Sequence, residues 1–331
     1  MQYDQLGQKL FAFEYLYIYV EETDNLADDN SYYLYGGLKE EIKVQYASFG
    51  GYMPGSDGKP QAVGPNNFVD SGIIALREAL ANSWDIKFDT IISGIDKETG
   101  KPNYAMEDYD IYIFEHTMPE KLPTDGIVLL IDPNPYLANM PQGSGIRIEG
   151  TVDIRGPINY FTKLDAGDPH PLTAGMDPSA ISWTKYQKIA SHDGYDELLY
   201  AGNDPVLLAK NTDDAKIAIL TLDLNCSNLG ILKEFPIFLY NLFQYFLPPT
   251  LTEHTYEVGD TVTLNARGEE LTVTGGNIDT TIMEFPGEIV VDRPGVYTLT
   301  QFDIAGEYII ENFFVSVPNY ESDISKEACD L

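Results

Sequence analysis

The hydrophobic pattern changes character three times along the chain. From Lys9 to Val20 the odd-numbered aromatics Phe11, Phe13, Tyr15, Tyr17 and Tyr19 recur at every second residue, the spacing of a half-buried strand. Only Ser31 to Tyr35 follows as a possible partner, so residues 1–36 read as the truncated end of an upstream β-domain. From Gly37 onward apolar runs alternate with helical stripes, the mark of a parallel sheet covered on both faces. The strands expected are Ile42 to Ser48, Asp85 to Ile92, Asp110 to Glu115, Gly126 to Asp132 and Ala215 to Leu222. Apolar residues at 69, 73, 76 and 80 predict a helix over Val69 to Ser83. Ile231, Phe235, Phe238, Leu239, Leu242 and Phe246 predict a second helix, stopped by Pro248-Pro249.

That double proline marks a boundary, placing an α/β domain over residues 37–248. Beyond it come short runs separated by turn residues: 256–264, 271–274, 288–291, 295–302 and 307–317, with Arg293-Pro-Gly295 forming a turn. They predict a compact antiparallel β-sandwich over 249–318, followed by a disordered tail over 319–331. Two Gly/Pro/Asn-rich stretches interrupt the α/β region. Residues 50–67 are too long for a tight turn and offer either a binding lid or surface decoration, and Asp96 to Pro102 has the chemistry of a surface hairpin turn.

Composition then narrows the partners. With 331 residues, 44% apolar and 12% aromatic, the chain has material for two cores, and a mean hydropathy of -0.19 belongs to a folded protein. Lys and Arg total 20 against 52 Asp and Glu, a formal charge of -32 that repels a nucleic-acid backbone and anionic lipid. The strongest membrane-helix candidate, Ile231 to Leu247, carries Lys233, Glu234, Pro236, Asn241 and Gln244, so direct membrane insertion is not expected. Met1-Gln-Tyr-Asp4 has neither a basic nor an apolar signal region, so an exported form would need its signal elsewhere.

The search for chemistry is mostly negative. The chain has no GxGxxG, GxxxxGK[ST] or GxSxG motif, and Gly143-Ser-Gly145 leads into a strand. His116, His170, His192 and His254 show no helical-face pairing, and the two cysteines, Cys226 and Cys329, form no ligand cluster, so neither a metal nor a cofactor is expected. A Cys226–Cys329 disulfide would have to pin the tail to the α/β domain. Glu115-His116 stands just past a strand, where catalytic groups gather, although such a pair is more often structural. Cys226 follows the last strand without a local base. The Asp-rich pieces Asp24 to Asn30, Asp213-Asp214 and Asp223 could hold calcium but lack EF-hand spacing and read as solvated loop carboxylates, and Asp177-Pro-Ser-Ala-Ile-Ser182 departs from DxSxS by one residue. If the chain is an enzyme, Glu115, His116, His192 and Cys226 are its candidate catalytic residues.

Several phrases, taken in order, resemble one family. Asp24-Asn-Leu-Ala-Asp-Asp-Asn30 is similar to the D-x-L-x-x-D-N element closing a β-domain in bacterial von Willebrand factor A domain-containing membrane proteins of the aerotolerance (Bat-like) type. Asp108 to His116, Leu122-Pro123, Gly126 to Pro133, His170 to Gly175, Ala218 to Leu224, Phe235 to Phe238, Phe313 to Pro318 and Glu321 to Ile324 follow that family's sequence of phrases. The resemblance covers residues 13 to 324. It implies a flavodoxin-like, class I glutamine amidotransferase-like (ThuA-like) domain, outside the cytoplasmic membrane and belonging to a larger membrane-anchored protein. The amidotransferase nucleophile would follow a central strand, but Leu130-Ile-Asp-Pro-Asn-Pro135 has no cysteine there. The resemblance therefore implies a non-catalytic binding or scaffolding region with a protein partner in the envelope. A cysteine- or carboxylate-dependent hydrolase of amides or carbohydrates, and a calcium-stabilised carbohydrate-binding module, are the alternatives.

Overall fold

The computed structural model describes residues 15–19, 31–36, 40–48, 52–54, 60–62, 68–80, 84–92, 104–124, 126–133, 144–154, 162–212, 215–266, 268, 270–302 and 308–317. The chain divides into two compact units, Met1–Glu40 with Pro248–Leu331, and Glu41–Leu247.

The described chain opens with a hairpin, β1 (Tyr15–Tyr19) and β2 (Ser31–Tyr35), paired Tyr15 with Tyr35 through Tyr19 with Ser31. Its period-2 aromatics share one face: Tyr15 and Tyr33 lie 4.9 and 5.6 Å from the Phe314 ring, and Tyr35 stacks on His254 at 4.1 Å. The segment read from sequence as the end of an upstream domain is thus grouped with the C-terminal region, because its rings pack on that region's last strand.

The second unit follows with β3 (Glu40–Ser48), a small ladder of β4 (Tyr52–Pro54) and β5 (Pro60–Ala62), helix α1 (Phe68–Ala79), β6 (Trp84–Ile92), β7 (Ile111–Glu115) and β8 (Ile127–Ile131). Next come β9 (Ile146–Asp153), β10 (Thr162–Lys163), β11 (Asp165–Ala166), β12 (Ser182–Trp183), β13 (Lys185–His192), β14 (Asp196–Ala201), β15 (Asp204–Thr212), β16 (Ala215–Leu220) and helix α2 (Glu234–Phe246). One sheet of eight strands runs β11-β14-β15-β16-β8-β7-β3-β6. β3, β7, β8 and β16 are mutually parallel, and every residue of β7 and β8 is buried, so both strands read as unbroken apolar runs.

The sheet differs from the expected all-parallel arrangement at one edge, where β14, β15 and β16 form an antiparallel meander. The cause is local. Gly202 adopts a φ of +65° between the paired residues Ala201 and Asp204, a two-residue turn that can only reverse the chain.

Among the described residues, both α-helices lie against one sheet face. Val69, Ile73 and Leu76 of α1 and Phe235, Phe238, Leu239, Leu242, Phe243 and Phe246 of α2 share a core with Ile111, Ile113, Ile127, Leu129 and Ile131. They meet at Gly72, where a side chain would stand 2.6 Å from Leu239 Cδ1. Asp70 in the first turn of α1 and Arg77 in its last complement the helix dipole. Pro236 sits in the first turn of α2, where its missing N–H is harmless, and Ile231, read as part of that stripe, precedes the helix and is exposed. The opposite face, with Tyr112, Phe114, Val128 and Leu130, is covered by the antiparallel β9–β13 ladder through Ile146, Ile148 and Ile189 rather than by a helix.

The C-terminal part of the first unit contains β17 (Thr255–Glu257), β18 (Thr261–Leu264), β19 (Leu271–Gly275), β20 (Ile278–Ile282), β21 (Gly287–Val290), β22 (Gly295–Phe302) and β23 (Tyr308–Ser316). A five-stranded sheet, β17-β23-β22-β19-β20, and a β18–β21 ladder enclose Val262, Leu264, Leu271, Val273, Tyr297, Leu299, Phe313 and Val315. β17 pairs parallel to β23, so this unit is not purely antiparallel. Residues 319–331 and the loop pieces 49–51, 55–59, 63–67 and 93–103 lie outside the described residues.

Candidate functional site

The parallel strands end in register. Ser48 stands opposite Glu115, Glu115 opposite Ile131, and Ile131 opposite Leu220, so the next residues of each strand line one edge of the sheet. This carboxyl edge is where open α/β sheets place their ligand sites. Its occupants are not apolar: Ser48, Glu115, His116, Asp132, Thr221 and Asp223 are all buried. β13 crosses the same edge, with Gln187 N donating to Thr221 O (3.0 Å), and contributes Lys185 and Gln187.

Each ionisable group has a defined setting. Glu115 Oε2 accepts from the Tyr46 hydroxyl and from Ser48 Oγ (3.2 Å). Burial and then the Glu115 charge push the Tyr46 phenol well above the ordinary tyrosine range. Asp132 is wholly buried; its Oδ1 accepts from Gln187 Nε2 at 2.7 Å, and Gln187 is itself oriented by Thr151 Oγ1 donating to Oε1 at 2.7 Å. Asp132 Oδ2 has His116 Nδ1 at 2.8 Å and Lys185 Nζ at 3.5 Å, yet accepts no well-aligned hydrogen bond. Asp223 Oδ1 caps the short 3-10 turn Leu224–Cys226 by accepting from Asn225 N (2.9 Å), which leaves Oδ2 facing Lys185 Nζ at 2.9 Å.

Burial opposes charge on His116, but Asp132, Glu115 and Asp223 outweigh it and raise its pKa. The same contest raises Lys185 through Asp132 and Asp223. Against the opposing effect of burial, Lys185 and His116 lower Asp223. The backbone is strained at two of these residues. His116 (φ +55°) and Asp132 (φ +43°) adopt left-handed conformations just past β7 and β8, each at a free-energy penalty of about 1–3 kcal/mol.

Of the residues singled out from sequence, Glu115 and His116 belong to this cluster, although His116 Nε2 stands 4.0 Å from Glu115 Oε1, beyond hydrogen-bond reach. Cys226 lies in the turn after Asp223, its carbonyl accepting from Thr184 N, while Cys329 lies outside the described residues. His192 occupies the opposite end of β13 from Lys185, seven residues or ~23 Å of strand away, and pairs with Glu197 at 3.0 Å.

The sequence reading missed Asp132, Lys185 and Gln187 as participants, and took Asp223, which is buried, for a solvated loop carboxylate. The two aspartates had a usable signal, since each ends an apolar run. The β13 residues had none, because their place depends on a long-range crossing. The absence of metal-ligand spacing in the sequence also reflects only local separation: His116, Asp132 and Asp223 come from three strand exits, yet each offers a ligand atom within 4.8 Å of the others.

No protein-family model matches the chain, and neither does any curated protein. Among solved structures, the cytoplasmic protein STM1381 from Salmonella typhimurium LT2 aligns with a TM-score of 0.42 and 12% identity, over 62% of this chain and 99% of that one. The cytoplasmic protein STM3548 from Salmonella typhimurium gives 0.40 and 15%, over 62% and 98%. The exo-beta-1,4-mannosidase Op5Man5 from Opitutaceae bacterium strain TAV5 gives 0.32 and 12%, over 62% of this chain and 35% of that one.

Proposed function

We propose that this chain is a non-catalytic binding or scaffolding region, carried on the outer face of a bacterial cytoplasmic membrane by a larger anchored protein, with a protein partner in the envelope. The α/β unit is read as a flavodoxin-like, amidotransferase-like domain whose reactive position has become structural. Strand order supports that reading: numbered along the chain, β6, β3, β7, β8 and β16 lie in the order 2-1-3-4-5. The resemblance to von Willebrand factor A domain-containing membrane proteins supplies the location. No helix among the described residues is long and apolar enough to cross a membrane.

One observation carries the non-catalytic reading. Asp132 occupies the exit of the central strand β8, where an amidotransferase-like domain would hold its nucleophile. Its carboxylate is wholly buried and engaged by His116, Gln187 and Lys185. A nucleophile must reach its substrate, and a carboxylate enclosed by three side chains does not.

The test is turnover of chromogenic ester, amide and glycoside substrates by the purified chain and by Asp132→Asn. Both should match the buffer rate. Hydrolysis by the parent chain that disappears in a folded Asp132→Asn would replace the scaffold reading with the hydrolase alternative.

A further inference from the structure

The carboxyl edge holds a second arrangement that the scaffold reading does not use. The carboxylates of Asp132 and Asp223 are each fixed through one oxygen, by Gln187 Nε2 and by Asn225 N respectively, and each presents its other oxygen to the same point. Lys185 Nζ now stands at that point, 3.5 Å from Asp132 Oδ2 and 2.9 Å from Asp223 Oδ2. His116 Nδ1 closes the third side, 2.8 Å from Asp132 Oδ2. One oxygen held by an outer partner and one left for an ion is the arrangement of metal-ligating carboxylates.

We propose that His116, Asp132 and Asp223 form a zinc site, with the Lys185 ammonium as the internal cation that zinc displaces. Three lines of geometry support it. The ligand atoms lie within 4.8 Å of one another, and a tetrahedral ion at ~2.0–2.2 Å from each donor needs them ~3.3–3.6 Å apart, so the 2.8 Å His116–Asp132 pair would open slightly around it. The buried Asp132 Oδ2, aimed into the cluster, is held by ion pairs to His116 and Lys185 but by no well-aligned hydrogen bond, so an ion there would replace those pairs with a direct bond. Lys185 has the most exposed side chain of the cluster, 18% against 9% for His116 and Asp223, so its flexible stem can withdraw the ammonium without unpacking the core.

One imidazole with two carboxylates selects a first-row transition ion over calcium, which takes six or more oxygens. The proposal is independent of the scaffold reading. Turnover would end that reading and leave the zinc result standing.

Calorimetric titration of the full chain with zinc chloride and, separately, calcium chloride tests it. The expected result is one zinc per chain, no comparable calcium binding, and affinity raised about tenfold or more in Lys185→Met, because the competing positive charge is gone. His116→Gln and Asp223→Asn should each weaken zinc by at least about tenfold. Should those variants not fold, cobalt(II) absorption keeps the test open. Visible bands of a four- or five-coordinate ion are expected in the parent chain, and at lower cobalt concentration in Lys185→Met. Zinc binding that is unchanged in His116→Gln and Asp223→Asn overturns the proposal, as does the lack of zinc binding or cobalt bands in both the parent and Lys185→Met. Calcium binding in preference to zinc overturns the ligand class.

Discussion

The two units close over apolar cores of similar chemistry, yet they treat buried polarity differently. Among its described residues the β unit buries only two polar side chains, Thr250 and Gln301, which bond to each other at 2.9 Å and carry no charge. The α/β unit buries Glu115, His116, Asp132, Asp223 and Glu234, four of them along one sheet edge. Replacing a buried ion pair by well-packed apolar residues is often neutral or stabilising, so stability alone does not account for such a concentration of charge. The difference teaches that the sheet edge is organised around buried charge, whereas the β unit is organised around apolar packing.

The comparison breaks first, and most visibly, at Asp132. Asp132→Ala removes the carboxylate that faces His116 and Lys185, leaves those cations against fewer counter-charges, and should destabilise the α/β unit by about 3–5 kcal/mol in urea unfolding. Gln301→Leu in the β unit takes away the amide that reaches the Thr250 hydroxyl. A loss of only ~1–3 kcal/mol is expected there, measured the same way. Equal effects from the two substitutions would erase the distinction drawn between the units.

A smaller effect should appear in the pH dependence of stability. His116 faces Glu115, Asp132, Asp223 and Lys185, and its folded-state pKa is raised. Its contribution is therefore full below about pH 6.5 and is lost as pH rises through the folded value. Asp223, lowered in the folded state, contributes above about pH 4, and that contribution fades as pH falls further through its folded value. The unfolding midpoint of the α/β unit should thus decline gently above neutrality in the parent chain and not in His116→Gln.

Much of the fold is visible in local pattern. The runs Ile111 to Glu115 and Ile127 to Ile131 are short, apolar and bounded by polar residues, and they form buried parallel strands; the stripe at 69, 73 and 76 forms α1. The second cover layer is less legible, because β9 and β13 are separated by more than thirty residues and their pairing is set by tertiary contact. The hairpin β1–β2 shows its strand period clearly, but nothing local says that its partner is Phe314, at the other end of the chain. Glu115 and His116 stood out as a strand exit. The meaning of Asp132 depended on knowing that four strand exits end level with one another, which the register supplies.

The central claim, that the sheet edge is an interlocked charge cluster rather than a set of independent side chains, is tested most directly by a double-mutant cycle. Unfolding free energies would be measured for the parent chain, His116→Gln, Asp132→Asn and the double variant. Side chains that act together at 2.8 Å should show a coupling energy of about 0.5–3 kcal/mol. Additive effects would contradict the account, leaving His116 and Asp132 as neighbours without energetic connection.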